Sequence, residues 1–246
     1  MRRLHILASV VLAIFPSFAA AASLAPFDKP VAVDIVKLPA DPDNPSAEPK
    51  ITCGRYTDIM VKEVDLGEVG ADRLALMAPD APCEREGSGE RVIRDDIAGY
   101  FLGVAGRFVF FQAADGWNGG LPFVVYDGKT AAKLFDDSMA IDSLSSISAE
   151  DDGLSLQFRR NVTSSCSLYA EPETCAKQIA VDTGLDSARI PVCTSAYEAE
   201  MKRTPDYAEA IKALPSVLEY PVALRWAANK VTVTPQDGPT HCLLPS

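Results

Sequence analysis

Few side chains in this sequence can do covalent chemistry, and histidine sets the tightest bound. There are two histidines, and His5 lies in an apolar N-terminal segment, which leaves His241 for the rest of the chain. A His-rich zinc site is therefore excluded, and any Ser-His-Asp or Cys-His nucleophile would have to use His241. Its neighbour Cys242 is a disulfide candidate, so His241 is expected at the surface beside a bridge. Gly128-Lys129-Thr130 has the last letters of a phosphate-binding loop, but the motif needs a glycine where Phe123 stands, and turn chemistry accounts for these residues. Gly87-Ser88-Gly89 is not G-x-S-x-G, so Ser88 is not a candidate nucleophile. Carboxylates occur in pairs (Asp95-Asp96, Asp136-Asp137, Asp151-Asp152), as acidic composition alone would give. A glycosidase needs two of them ~5–10 Å apart across a cleft. No EF-hand-type loop is present to hold calcium, and the sequence implies no metal and no cofactor. Asn161-Val162-Thr163 is a glycosylation sequon, expected by chance.

One segment stands out as a binding candidate: Asp115-Gly116-Trp117-Asn118-Gly119-Gly120. Its glycines allow a mobile or sharply turning loop between two strong strands, with a tryptophan at its centre. Loops carry function disproportionately, and an exposed Trp is a common anchor for protein or sugar. Trp117, Asn118 and Asp115 are accordingly the candidate contact residues. Large aromatics more often fold back to close the end of a barrel or sandwich, and that placement is the expectation for Trp117.

The elements that position this loop follow from export and patterning. Met1-Arg2-Arg3, the apolar run Leu4–Phe15 and the small residues through Ala22 form the three parts of a signal peptide, expected to be cleaved after Ala22. The run is too short to span a bilayer, which takes ~20 apolar residues, so no integral membrane anchor is expected. Residues 23–246 would then form a single exported domain, periplasmic or secreted, with a Pro-rich loop at 39–49. The chain carries 23 basic and 34 acidic side chains for a net charge of −11, and losing Arg2 and Arg3 makes it −13. Such a surface repels phosphate backbones, which excludes nucleic acid as a partner. Six cysteines (Cys53, Cys83, Cys166, Cys175, Cys193 and Cys242) follow the leader, and an even count in an exported chain reads as disulfides. Local closure favours Cys53–Cys83, Cys166–Cys175 and Cys193–Cys242, with Cys175–Cys193 as the main rival. The first bridge would contribute about 3–4 kcal/mol in the chain-entropy model.

The fold class expected is α+β, mainly β. Val31–Leu38 alternates, with Val31, Val33 and Ile35 on one side, and reads as a strand. A strand region runs from Ile51 to about Leu66, and Arg73–Met77 is a further candidate. Aromatic and β-branched runs bounded by turns form an antiparallel meander at about residues 99–160. Asp127-Gly128 in it suits a type I′ turn. Short helices follow near 172–183, where Pro172 opens and Gly184 closes the helix, and 195–214, where Ser195-Ala-Tyr-Glu198 fits a capping box. A C-terminal hairpin carries Val222, Leu224 and Trp226 on one face. Together these features point to an exported, non-catalytic domain that binds a protein or cell-envelope component. The alternatives are a secreted hydrolase using a pair of carboxylates, or a purely structural protein.

Overall fold

The structure, a computed structural model, describes residues 27–40 and 42–245, so the leader lies outside the described residues. Its strands, in chain order, begin with β1 (Ala32–Lys37), β2 (Lys50–Arg55), β3 (Met60–Asp65), β4 (Arg73–Met77) and β5 (Arg91–Ile93). These pair antiparallel in sequence order as a five-stranded sheet, sheet A. Next come β6 (Tyr100–Ala105), β7 (Phe108–Gln112), β8 (Gly120–Asp127), β9 (Lys133–Ala140), β10 (Ser146–Glu150) and β11 (Gly153–Thr163). Helices α1 (Pro172–Thr183), α2 (Thr194–Arg203) and α3 (Ala208–Lys212) precede β12 (Val217–Ala227), β13 (Lys230–Pro235) and β14 (His241–Leu243). Strands β6–β14 form a nine-stranded sheet, sheet B, in the order β13-β12-β11-β9-β8-β7-β6, with β10 on β11 and β14 on β12.

Alternation along the strands assigns side chains to layers. Val109, Phe111, Val124 and Tyr126 pack against Val61, Leu74, Leu76 and Ile93 of sheet A, which makes the inter-sheet core. Phe108, Phe110, Phe123, Val125, Leu156, Phe158, Val222, Leu224 and Trp226 face the other way, under Cys175 and Ile179 of α1, Tyr197 of α2 and Ile211 of α3. The outer face of sheet A (Ile51, Cys53, Met60, Val64 and Met77) is closed by the segment between β4 and β5, including Ala81 and Cys83. Lys62, fully buried, latches this segment, donating to the Glu84 carbonyl at 3.0 Å, the Arg85 carbonyl at 3.1 Å and the Glu90 carboxylate. Burial opposes charge on Glu90, but bonds from Lys62, the Gly87 N–H and Arg73 outweigh it and hold its pKa below the usual range.

The disulfides are Cys53–Cys83, Cys166–Cys175 and Cys193–Cys242, the local pairing the sequence favours. Several expectations need correction. The Ile51–Leu66 region is a hairpin, β2 and β3, not a continuous strand, because Tyr56 turns the chain with its N–H on the Ile59 carbonyl. Asp127-Gly128 is not a type I′ turn. The connection runs from Asp127 to Ala132, with the positive φ at Ala131 and Asp127 Oδ1 accepting the Lys129 and Thr130 N–H groups. The capping box at Ser195 does not form, since α2 starts at Thr194 behind Cys193, whose bridge fixes the helix start without a side-chain cap. A short 3₁₀ turn at Pro205–Tyr207 separates α2 from α3.

Candidate binding site: the Trp117 turn

Between β7 and β8 the chain makes a two-residue β-turn. The Trp117 N–H donates to the Gly120 carbonyl at 2.7 Å, and the Gly120 N–H returns to the Trp117 carbonyl at 2.9 Å. The central residues Asn118 and Gly119 have φ of 52° and 78°. Both lie in the left-handed region that Asn and Gly tolerate, which is type I′ chemistry. The Asn118-Gly119 dipeptide is the local signal that marks this turn in the sequence. Gly120 is required by close approach, since a Cβ there would lie 2.6 Å from Asn161 Cγ and 2.7 Å from Ser138 Oγ.

The turn lies over the sheet B face that, further along β8, carries Val124 and Tyr126 towards sheet A. Asn118 is 4% exposed and anchors it: its Nδ2 donates to Thr163 Oγ1 at 2.9 Å, and its carbonyl accepts from Asn161 Nδ2 at 3.1 Å. Asn161 in turn lies 3.4 Å from Glu219 Oε1, and Arg159 donates to the Glu219 carbonyl at 3.2 Å. Asn161, the sequon asparagine, is thus a buried structural anchor rather than an accessible acceptor. The sequence did not single out Asn161, Thr163 or Glu219 as partners of the turn, because they lie on β11 and β12, remote in the chain.

Of the three candidate contact residues, Asp115 and Trp117 are exposed and Asn118 is buried. Trp117 does not fold back. It is 67% exposed, whereas the type I′ turn directs Asn118 into the sheet. Ile141, also exposed, follows Ala140, the residue paired with Gly120, so two apolar side chains lie at the same end of the sheet. Trp226, by contrast, is buried against Phe108 at 5.6 Å between ring centroids.

The carboxylates elsewhere in the fold have partners of their own. Burial pushes the Glu63 carboxyl up, although it accepts the Phe101 N–H at 2.7 Å. Burial also raises Asp137, against the opposing Arg160 guanidinium at 2.8 Å. Glu63 shares the face of Val61, towards sheet B, whereas Asp137 pairs with Phe123 on the helix side of sheet B. These two carboxylates are therefore separated by a sheet. Asp95 is held below the usual range, bonds from the Ile97 N–H, Lys133 and Tyr126 overcoming its burial. Burial, then Asp95, pushes Tyr126 up to about 12. Gly128 and Lys129 offer their carbonyls to Arg91 of β5, tying the two sheets together. An open depression of about 490 Å³ is lined by Asp28, Lys29, Tyr56, Thr57, Asp58, Ile59 and Gly106, and Asp28 there accepts the Gly106 N–H at 2.6 Å. Among the described residues no three His, Cys, Asp or Glu side chains converge as a metal site. No helix among them is long and apolar enough to cross a membrane. Comparison with protein-family models, curated proteins and solved structures gives no match.

Proposed function

We propose that this is an exported, non-catalytic protein, periplasmic or secreted, that binds a protein or cell-envelope component through the Trp117 turn. The observation that carries the reading is Trp117 itself, a large aromatic held 67% exposed on a turn whose other contacts are buried. Holding an indole in water forgoes a large apolar burial, and a rigid backbone lowers the entropy lost on contact. Export is supported by the leader pattern and by three disulfides, which persist in oxidising compartments. The acidic surface favours a partner with basic groups at the rim of the contact.

The hydrolase alternative draws less support. The two carboxylates with raised pKa lie on opposite sides of sheet B, and Asp28 in the open depression is engaged by a backbone amide.

The test is capture from an envelope extract of the host, using the protein and Trp117→Ala side by side. The expected result is a partner retained by the wild type and lost by the variant. Because Trp117 is exposed, the variant should unfold within about 0.5 kcal/mol of wild type. Equal capture by both would remove the turn from the interface.

A further inference from the structure

Residues 27–30 run from the edge of sheet B to the start of sheet A. β6 is the edge strand of sheet B, and its pairing with β7 skips from Phe101 to Gly103, a bulge at Leu102. There Phe27 lies against bare backbone: a Cβ at Gly103 would overlap its ring, with Cδ1 and Cδ2 each 2.6 Å away. The ring also meets Phe110 edge-on at 5.2 Å between centroids, which extends the core under the helices past the last strand. Asp28 covers the edge itself, its N–H donating to the Val104 carbonyl at 2.7 Å and its carboxylate accepting the Gly106 N–H. Three residues on, the Val31 N–H donates to the Arg55 carbonyl of sheet A. Between these anchors Asp28, Lys29 and Pro30 are exposed, and Asp28 and Lys29 line one side of the open depression. The segment is thus held on sheet B chiefly by one partly buried ring and two hydrogen bonds.

We propose that residues 27–30 are a releasable strap, which closes the β6 edge after the leader has been cut and opens without the rest of the fold. Opening costs little, because it exposes one aromatic ring and frees few backbone groups, whereas the buried strands β7 and β8 open only with the core. The order of closure follows from chain length and rests on the export reading. Four residues, 23–26, separate Phe27 from the expected cleavage point after Ala22. Fully extended, they place the scissile bond no more than ~17 Å from Phe27. A peptidase has to enclose extended chain on both sides of that bond, and a seated Phe27 holds one flank against the folded domain. Cleavage and seating therefore compete for the same stretch, and cutting first, seating second removes the conflict. Gly103 makes the seat, since any side chain there closes it.

Three measurements on protein expressed from the full chain test this. In native-state amide exchange, the Asp28 amide should exchange at least about tenfold faster than those of β7 and β8, and Gly103→Ala should remove what protection it has. Exchange of Asp28 at the core rate would overturn independent opening. Phe27→Ala and Gly103→Ala should each lower the thermal midpoint by about 5 °C. The double variant should melt no lower than Phe27→Ala alone, since the added Cβ then meets no ring. Additive losses, or no loss from Phe27→Ala, would overturn the seat. In pulse–chase labelling, wild type and Gly103→Ala should lose the leader at the same rate. Faster processing of Gly103→Ala would show that seating precedes cleavage and overturn the order. A chain that is never processed would overturn the export reading and the order with it, while exchange and the double variant, which need no leader, decide the strap separately.

Discussion

Asn161 shows how much of the Trp117 turn depends on one side chain. Its amide donates to the Asn118 carbonyl from a site closed to solvent. Asn161→Ala removes that hydrogen bond from a buried site, a loss of about 1–3 kcal/mol. Urea unfolding should register the drop, and Trp117 should gain mobility, read as a fall in tryptophan fluorescence anisotropy at the exposed, red-shifted edge of the emission. Trp226 is buried and serves as the internal control. In the sequence, Asn161 offers only a sequon. Its actual partner is 43 residues away, and no local pattern encodes a contact made across three strands.

At the level of elements, sheet A and sheet B are joined by polar links as well as by their apolar core. Glu63 of β3 bonds the Phe101 N–H of β6, and burial raises its pKa. A raised carboxyl contributes stability that is complete below the ordinary carboxylate range and is lost as pH rises through the raised value. Glu63→Gln keeps an acceptor for Phe101 without the buried charge. The variant should therefore exceed wild type in urea midpoint at neutral pH and match it near about pH 3, where the wild-type carboxyl is already protonated. Glu90 and Asp95 act in the opposite sense. Their pKa values are lowered, so what they contribute is present above the ordinary range and is lost as pH falls through the depressed values. Acid should thus loosen the Lys62 latch and the Lys133 cluster even as the Glu63 penalty disappears.

For the molecule as a whole, the disulfides divide the work by loop length. Cys193–Cys242 closes 49 residues and ties the start of α2 to β14, whereas Cys166–Cys175 closes 9 and only fastens the entry to α1. Loop-closure entropy assigns about 4 kcal/mol to the first and about 2.5 kcal/mol to the second. Replacing Cys193 and Cys242 together by Ala should therefore lower the unfolding free energy more than the same change at Cys166 and Cys175, as denaturant titration of the two double variants would show. The longer bridge also holds part of the helical layer over sheet B, so its loss should expose the Tyr197 side of the core.

The sequence by itself determined the elements whose signals are local. Alternation marked β1, aromatic and β-branched runs marked β7 and β8, and Pro172 with Gly184 bounded α1. The three bridges follow the pairing that local closure favours. The short strands β5, β10 and β14 escaped it, since three to five residues of mixed polarity carry no period, and their pairing energy comes from neighbours already in place. Only the tertiary structure decided which face of sheet B the Trp117 turn covers, that Asn118 points inward while Trp117 stays in water, and that β1, among the described residues, is the edge of sheet A. The physical reason is common to all three. Exposure of a side chain or a strand is set by what other parts of the chain come to lie beside it, and those parts lie at sequence separations that no local pattern spans.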